Sequence, residues 1–253
     1  MKREIFGIAA VSLGIASLPL LHGCGCGGGE KPRENAEENF ESEEIAEYRR
    51  LAKRGHSAAQ LNLALLILDG SVAPRHENEA FEWLHKAAQQ NNPEAMYNLA
   101  ILYMSGKGVV KDERTGIGWM QKAADLGYVQ AQSDLGQIYA EGIGGKVDLR
   151  LSARYLSKAA AQGHHEAQTN LGYAYLKGQG VRKDFKEAVR LFRLAAQQDD
   201  PIAMTHLAGC LYIGRGVERD RDAAIELYRK AAAFGDERAR ETLRELKVAP
   251  EGR

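Results

Sequence analysis

Histidines, cysteines, lysines and paired glycines are the residues of this chain whose types could do chemistry, and their spacing decides whether they can. His164 and His165 could begin a metal site. Adjacent residues on a helix point in different directions, and no cysteine or carboxylate cluster stands around them at ligand spacing, so no metal site is expected. Lys86, Lys122, Lys158 and Lys230 recur at one interval, with Leu194 at the fourth place, and a line of ammonium groups could hold an anion. They fall near helix C-termini, where positive charge complements the dipole, so a solvated face is the expected role. Gly106-x-Gly108 and its copies join helix to helix with no strand before them, so they are not a dinucleotide fingerprint, and no phosphate loop is present. No nucleophile has a matching base and orienting group. Neither an enzyme nor a cofactor is expected.

One side-chain line remains. Asn62, Asn98, Asp134, Asn170 and His206 recur at the same interval, and Gln137 and Tyr173 lie three residues further on in their own units. A side-chain amide offers two donors and an acceptor, enough to bind a partner's backbone. Such residues can equally hydrogen-bond the adjacent repeat or face water.

The elements that must position these residues follow from a repeat. Three columns carry a period of 36 residues: Ala59, Ala95, Ala131, Ala167, Ala203, Ala239; Leu63, Leu99, Leu135, Leu171, Leu207, Leu243; and Gly70, Gly106, Gly142, Gly178, Gly214. A double alanine also recurs, from Ala87-Ala88 to Ala231-Ala232. Each unit reads as two antiparallel helices. Pro93 and Pro201 suit the first turn of a first helix, and Gly106 suits its left-handed end. Asp112, Asp148, Asp184 and Asp220 would cap the second helix. The first unit has His76 there and Val72 for the second loop glycine, so its loop should be the least regular. In the second helix a small residue (Ala80, Gly116, Ser152, Ala188, Ala224) precedes a bulky one (Trp83, Trp119, Tyr155, Leu191, Leu227), which should let helices approach and still fill space. Gly127, Gly163 and Gly235 close the unit. Cys210 falls where other units have Leu66, Leu102, Ile138 and Ala174, so it should be a buried small residue.

These columns resemble the Sel-one-like repeat (SLR), a cousin of the tetratricopeptide repeat. The second unit carries the signature in Ala95, Leu99, Ala100, Tyr103, Gly106, Gly108, Val109 and Asp112, and the fourth in Leu171, Gly172, Tyr175, Gly178, Gly180, Val181 and Asp184. The resemblance implies a right-handed α-solenoid whose first helices line a concave, protein-binding face. A cysteine-rich branch of these repeats is linked to β-lactam hydrolysis, but it carries a cysteine pair in each repeat. This chain has 3 cysteines in all.

At 253 residues and 44% hydrophobic content the chain can bury a sizeable core. Its 34 basic and 34 acidic side chains cancel, which removes the electrostatic argument for nucleic acid or an anionic membrane surface. The N-terminus reads as an address. Lys2 and Arg3 precede an apolar stretch from Ile5 to Leu21, and Leu21-His22-Gly23-Cys24 resembles a bacterial lipobox. That resemblance implies lipid on Cys24, although His22 replaces the small residue usual there. Cys26 is a poorer acceptor, with Gly23 three residues before it. A Gly-rich and then Glu-rich stretch follows, as a solvated tether would.

The expected organisation is a signal peptide over 1–23, a lipidated Cys24 with its tether over 24–44, an all-α solenoid over 45–247, and a disordered tail over 248–253. The solenoid holds units 57–92, 93–128, 129–164, 165–200 and 201–236 between two half-unit caps. The expected function is a non-catalytic module exported to the bacterial cell envelope and anchored in its membrane through that lipid. It would bind a protein or peptide on the first-helix face, with no nucleic acid and no metal. Two other readings stay open: an envelope hydrolase acting on peptidoglycan or β-lactams, and a secreted effector acting on host proteins if Cys24 is not acylated.

Overall fold

The computed structural model describes residues 43–72 and 76–247. Over these residues the chain forms twelve helices and no strand. First helices are α2 (Ser57–Asp69), α4 (Pro93–Ser105), α6 (Val129–Glu141), α8 (His165–Lys177), α10 (Pro201–Ile213) and α12 (Glu237–Glu245). Second helices are α1 (Glu43–Lys53), α3 (Glu77–Gln89), α5 (Glu113–Asp125), α7 (Leu149–Ala161), α9 (Phe185–Ala196) and α11 (Arg221–Ala233). Each helix packs chiefly on its predecessor and successor in the chain. That nearest-neighbour order makes the molecule an all-α solenoid of helix pairs. The signal segment, Cys24, Cys26, the tether up to residue 42 and the tail from 248 lie outside the described residues. Helix α1 is described from Glu43.

The alanine and leucine columns form the core, and none of their members is more than 6% exposed. Asp112, Asp148, Asp184 and Asp220 each accept a backbone N–H from the first turn of the helix they precede. His76 provides no such bond to α3, as its type suggests, and residues 73–75 beside it lie outside the description. One packing expectation is corrected. The bulky residues that fill the seam between paired helices are Leu84, Met120, Leu156, Phe192 and Tyr228, all buried. Of the expected column one position earlier, Leu191 is buried as well, but Trp83, Trp119, Tyr155 and Leu227 are only half-buried. The reason is helical phase: the filler stands four residues after the small residue, on the face turned to the first helix. Across the seam, first helices go smallest where the filler is awkward. A Cβ added at Gly172 would lie 2.7 Å from the Phe192 ring.

Units are joined by two polar devices besides apolar burial. The second loop glycine seats each loop on the preceding unit. At Gly108, Gly180 and Gly216 a Cβ would collide with the carbonyl oxygen of Glu77, Leu149 or Phe185, the first residue of the previous unit's second helix. The other device is a glutamine staple. Gln60, Gln132 and Gln168, buried in first helices, donate to the carbonyls of Ala52, Ala124 and Ala160 in the preceding unit, at 3.1, 2.9 and 3.3 Å. Each in turn accepts from a glutamine closing its own unit: Gln90, Gln162 or Gln198. Each of these helix-end carbonyls already accepts the backbone N–H of Gly55, Gly127 or Gly163, and the glutamine adds a second bond that crosses the joint. Units two and five replace the whole set by Met96 with Leu126 and Met204 with Phe234.

The glycine that closes a unit has φ of 91° at Gly127 and 89° at Gly163, and Asn91 and Asp199 hold the same place at 61° and 60°. Asn and Asp tolerate this region best among residues with a Cβ, but still at a cost. Asn91→Gly is therefore expected to raise stability by up to about 1 kcal/mol. Gly163→Ala, with open space around its Cβ, should cost about 1 kcal/mol, and Gly180→Ala about twice that or more, because it adds a carbonyl collision to the backbone strain. Urea unfolding followed by helical circular dichroism measures all three. Equal losses at Gly163 and Gly180 would remove the loop seat.

Candidate interaction face

The first helices leave a stripe less covered by their neighbours, at positions i, i+4, i+7 and i+11, although its third member on α4, Ile101, is buried. On α6 these are Gln130, Asp134, Gln137 and Glu141; on α8, Glu166, Asn170, Tyr173 and Lys177; on α10, Ile202, His206, Gly209 and Ile213. The seven residues singled out by the sequence all lie on these stripes, but the structure uses them differently. Asn170 and Tyr173 are exposed, while Asn62, Asn98, Asp134, Gln137 and His206 are half-buried. Asn98 donates to the Glu94 carbonyl of its own helix at 2.9 Å, and Gln137 donates to Glu141 at 2.9 Å. His206 stacks on Phe192, with ring centroids 5.1 Å apart, and meets Tyr173 across the unit joint at 5.5 Å. Burial lowers the His206 pKa below its ordinary value, with Arg238 adding to the effect, so the ring is neutral near pH 7.

Asp134 is the most constrained of the set. Tyr97 Oη donates to its Oδ2 at 2.8 Å from the preceding unit, and Gln130 Nε2 donates to Oδ1 at 3.0 Å. Burial nevertheless pushes its carboxyl up to about 6, against the pull of both hydrogen bonds, and nearby Glu166 adds to the rise. The same burial, with the Asp134 charge beside it, raises the Tyr97 hydroxyl.

Charge along the first helices is one-sided. From α2 to α10 they carry Asp69, Glu94, Asp134, Glu141 and Glu166 against Lys177 alone. The second helices lean the other way from α7 onward, where α7 itself holds Arg150, Arg154 and Lys158 and no acid. A chain of zero net charge therefore presents an acidic first-helix side. Exposed large apolar groups also gather there at one end: Tyr173, Ile202 and Ile213 stand 37%, 36% and 55% exposed on α8 and α10.

The remaining sequence candidates have structural uses. The lysine column lies over the half-buried aromatics of the same helices: Lys86 Nζ is 4.3 Å from the Trp83 ring centre, Lys122 3.9 Å from Trp119 and Lys158 5.3 Å from Tyr155. Lys158 and Lys230 also reach back to Asp125 and Asp199 of the preceding units. Cys210 is 4% exposed, and burial raises its thiol pKa. His164 caps α8 through Nδ1, and His165 pairs with Asp200 at 3.1 Å. Among the described residues no group of three or more His, Cys, Asp or Glu is placed to hold a metal ion, and no helix is long and apolar enough to cross a membrane.

The Asp134 shift has a testable sign. A carboxyl whose folded pKa rises from 3.8 to about 6 contributes stability at acid pH that is lost as pH climbs through about 6. Asp134→Asn, which removes the buried charge, should therefore gain about 2 kcal/mol relative to wild type on going from about pH 4 to about pH 8. Urea midpoints of both proteins at the two pH values check this, and a difference that does not change with pH would contradict it.

Comparison with known proteins places this architecture. The search of curated proteins returns no match. The family model described as the Sel1 repeat matches residues 57–92, 93–128, 129–164, 165–200 and 201–236. Among solved structures the chain is similar to a protective antigen of uropathogenic Escherichia coli that displays an SLR fold. Identity is 31% and the TM-score 0.75, over 82% of this chain and 45% of that one. It is similar also to a Sel1 repeat protein from Oxalobacter formigenes, at 33% identity and a TM-score of 0.70, over 80% of this chain and 58% of the other. The chain thus spans about half the length of these relatives. Repeats of this kind generally mediate protein–protein interaction. With five consecutive units matched and their caps, loops and core columns in place, the chain belongs to the Sel1 repeat family.

Proposed function

We propose that this protein is a non-catalytic scaffold that binds a segment of another protein along its first-helix stripe. The observation that carries this reading is the stripe itself, which combines surplus carboxylates with exposed Tyr173, Ile202 and Ile213 at one end. A complementary segment carries lysine or arginine facing α4, α6 and α8, and an apolar side chain seated by Tyr173 and Ile202. Aromatic and aliphatic anchors supply most of the energy in such contacts, while rim charges set partner choice and encounter rate. We further propose that the protein acts at a bacterial cell envelope, held there by lipid on Cys24. The reading rests on the Lys2-Arg3 start, the apolar stretch and the Leu21-His22-Gly23-Cys24 sequence.

Selection of peptides from a random library on the purified protein tests the first part. Enriched sequences should hold basic residues beside an apolar one, and binding should weaken at high salt. Ile202→Asp with Tyr173→Ala should weaken it at least roughly tenfold, while Lys158→Ala on the second-helix side leaves it unchanged. Peptides that bind equally well to the Ile202/Tyr173 variant would refute the stripe as the site. For the address, growth with labelled palmitate should mark the wild type and leave Cys24→Ser unlabelled. An unlabelled wild type would refute the anchor.

A further inference from the structure

One hydrogen-bond chain with a fixed direction runs through three consecutive units. Tyr97 on α4 and Gln130 on α6 both donate to Asp134, at 2.8 and 3.0 Å. The Gln130 Oε1 faces His164 Nε2 at 3.1 Å, and His164 Nδ1 accepts the backbone N–H of Ala167, in the first turn of α8, at 3.3 Å. Each link dictates the next. Because Nδ1 accepts, the neutral ring carries its proton on Nε2 and donates it to the Gln130 oxygen. The amide nitrogen of Gln130 is then left to donate to Asp134, which receives hydrogen bonds on both oxygens as a carboxylate.

We propose that this chain makes the joint between the third and fourth units acid-sensitive, with His164 as the trigger. A proton added at Nδ1 would set two donors, the imidazolium and the Ala167 N–H, against each other. The ring must then leave its place, which uncaps α8 and releases Gln130 from across the joint. Other described first helices lack this weakness. Asn92 caps α4, while Asp200 and Asp236 cap α10 and α12, and His56 forms no side-chain cap on α2.

The charged and titratable groups around the ring come from several elements. On α8 itself they are Glu166, whose charge favours protonation, and His165, whose ring stacks on His164 at 5.8 Å and opposes it. Asp200, at the start of α10, holds His165. Asp134 stands on α6 beyond Gln130, and from the last turn of α7 Lys158 turns away to Asp125. Burial is the largest influence and keeps the ring neutral at pH values where an exposed histidine would begin to charge. A histidine lowered in this way contributes stability above its ordinary pKa of 6.5 that is lost as pH falls. Asp134 takes up its own proton at about 6, which relieves a buried charge and by itself favours the fold, so the acid response of the joint is read at the α8 cap rather than in overall stability. The joint sets how the stripes of α6 and α8 lie relative to each other, so acid alters the face whatever partner it holds.

The chain itself suggests the decisive variant. His164→Asn installs the cap that Asn92 already forms with Ala95 at 3.0 Å, without a titrating ring. Backbone amide exchange at Ala167, corrected for the intrinsic rate, would be followed at about pH 7.5 and about pH 5 in wild type and variant. In wild type the protection of Ala167 should fall roughly tenfold or more at the lower pH, while Ala95 in α4 keeps its protection. In His164→Asn the Ala167 amide should respond like Ala95. Loss of protection at Ala167 that is equal in both proteins, or absent in both, overturns the proposal. Nitrogen chemical shifts of His164 in wild type give a second reading that needs no variant. An unprotonated Nδ1 at about pH 7.5 that gains its proton as Ala167 loses protection supports the proposal, and a ring already protonated at Nδ1 overturns it.

Discussion

A pair of thirteen-residue helices has more apolar surface than it can cover by itself, so every unit here depends on the one before it. The Ala95, Leu99 and Ala123 columns are fully buried because helices close on both sides of them. Close approach creates a second requirement, since backbone at a joint needs room and polar side chains trapped there need partners. The chain meets it with small means: a glycine that lets a loop rest on a helix-start carbonyl, and a glutamine that reaches back eight residues to a helix-end carbonyl. A shift of one unit on the next would leave the buried amides of Gln60, Gln132 and Gln168 without partners, at about 1–3 kcal/mol each, so these contacts fix the register of the stack as well as holding it together.

What the joints consume is unavailable for binding, and this sorts the first-helix stripe. Asp134 and His206 are tied to neighbouring units through Tyr97 and through Phe192 with Tyr173. Asn170, Tyr173 and Ile202 are the more open members. The acidic lean of these helices, set against the basic lean of α7 and α9, gives a neutral chain two electrostatically distinct sides. The lysine column, expected as a solvated face near helix C-termini, sets each ammonium against an aromatic ring or an aspartate of the preceding unit.

Much of this was legible in the residues. The 36-residue columns disclose helix pairs, loops and caps, because Gly and Asp at fixed places have few other uses. Other features were harder to see for physical reasons. Asn91 and Asp199 adopt the backbone of the unit-closing glycine, so a column defined by residue type overlooks them. Trp83 and Trp119 draw attention by size, yet the buried fillers are Leu84 and Met120, one helical position further round. The glutamine staple was present as a pattern: Gln60 goes with Gln90, Gln132 with Gln162 and Gln168 with Gln198, while Met96 goes with Leu126 and Met204 with Phe234. Columns read singly hide such pairs. The bond from Tyr97 to Asp134 spans 37 residues and two units, and only the stacked geometry brings its ends together.

If the joints are as equivalent as the columns imply, one whole unit can be removed without disturbing the rest. Excision of residues 129–164, joining Tyr128 to His165, tests this most directly. The shortened protein should fold cooperatively, keep helical signal in proportion to its length, and unfold at lower urea with a smaller denaturant slope, because less surface is exposed. A product that loses its helical signal altogether would contradict an array built from nearest-neighbour joints.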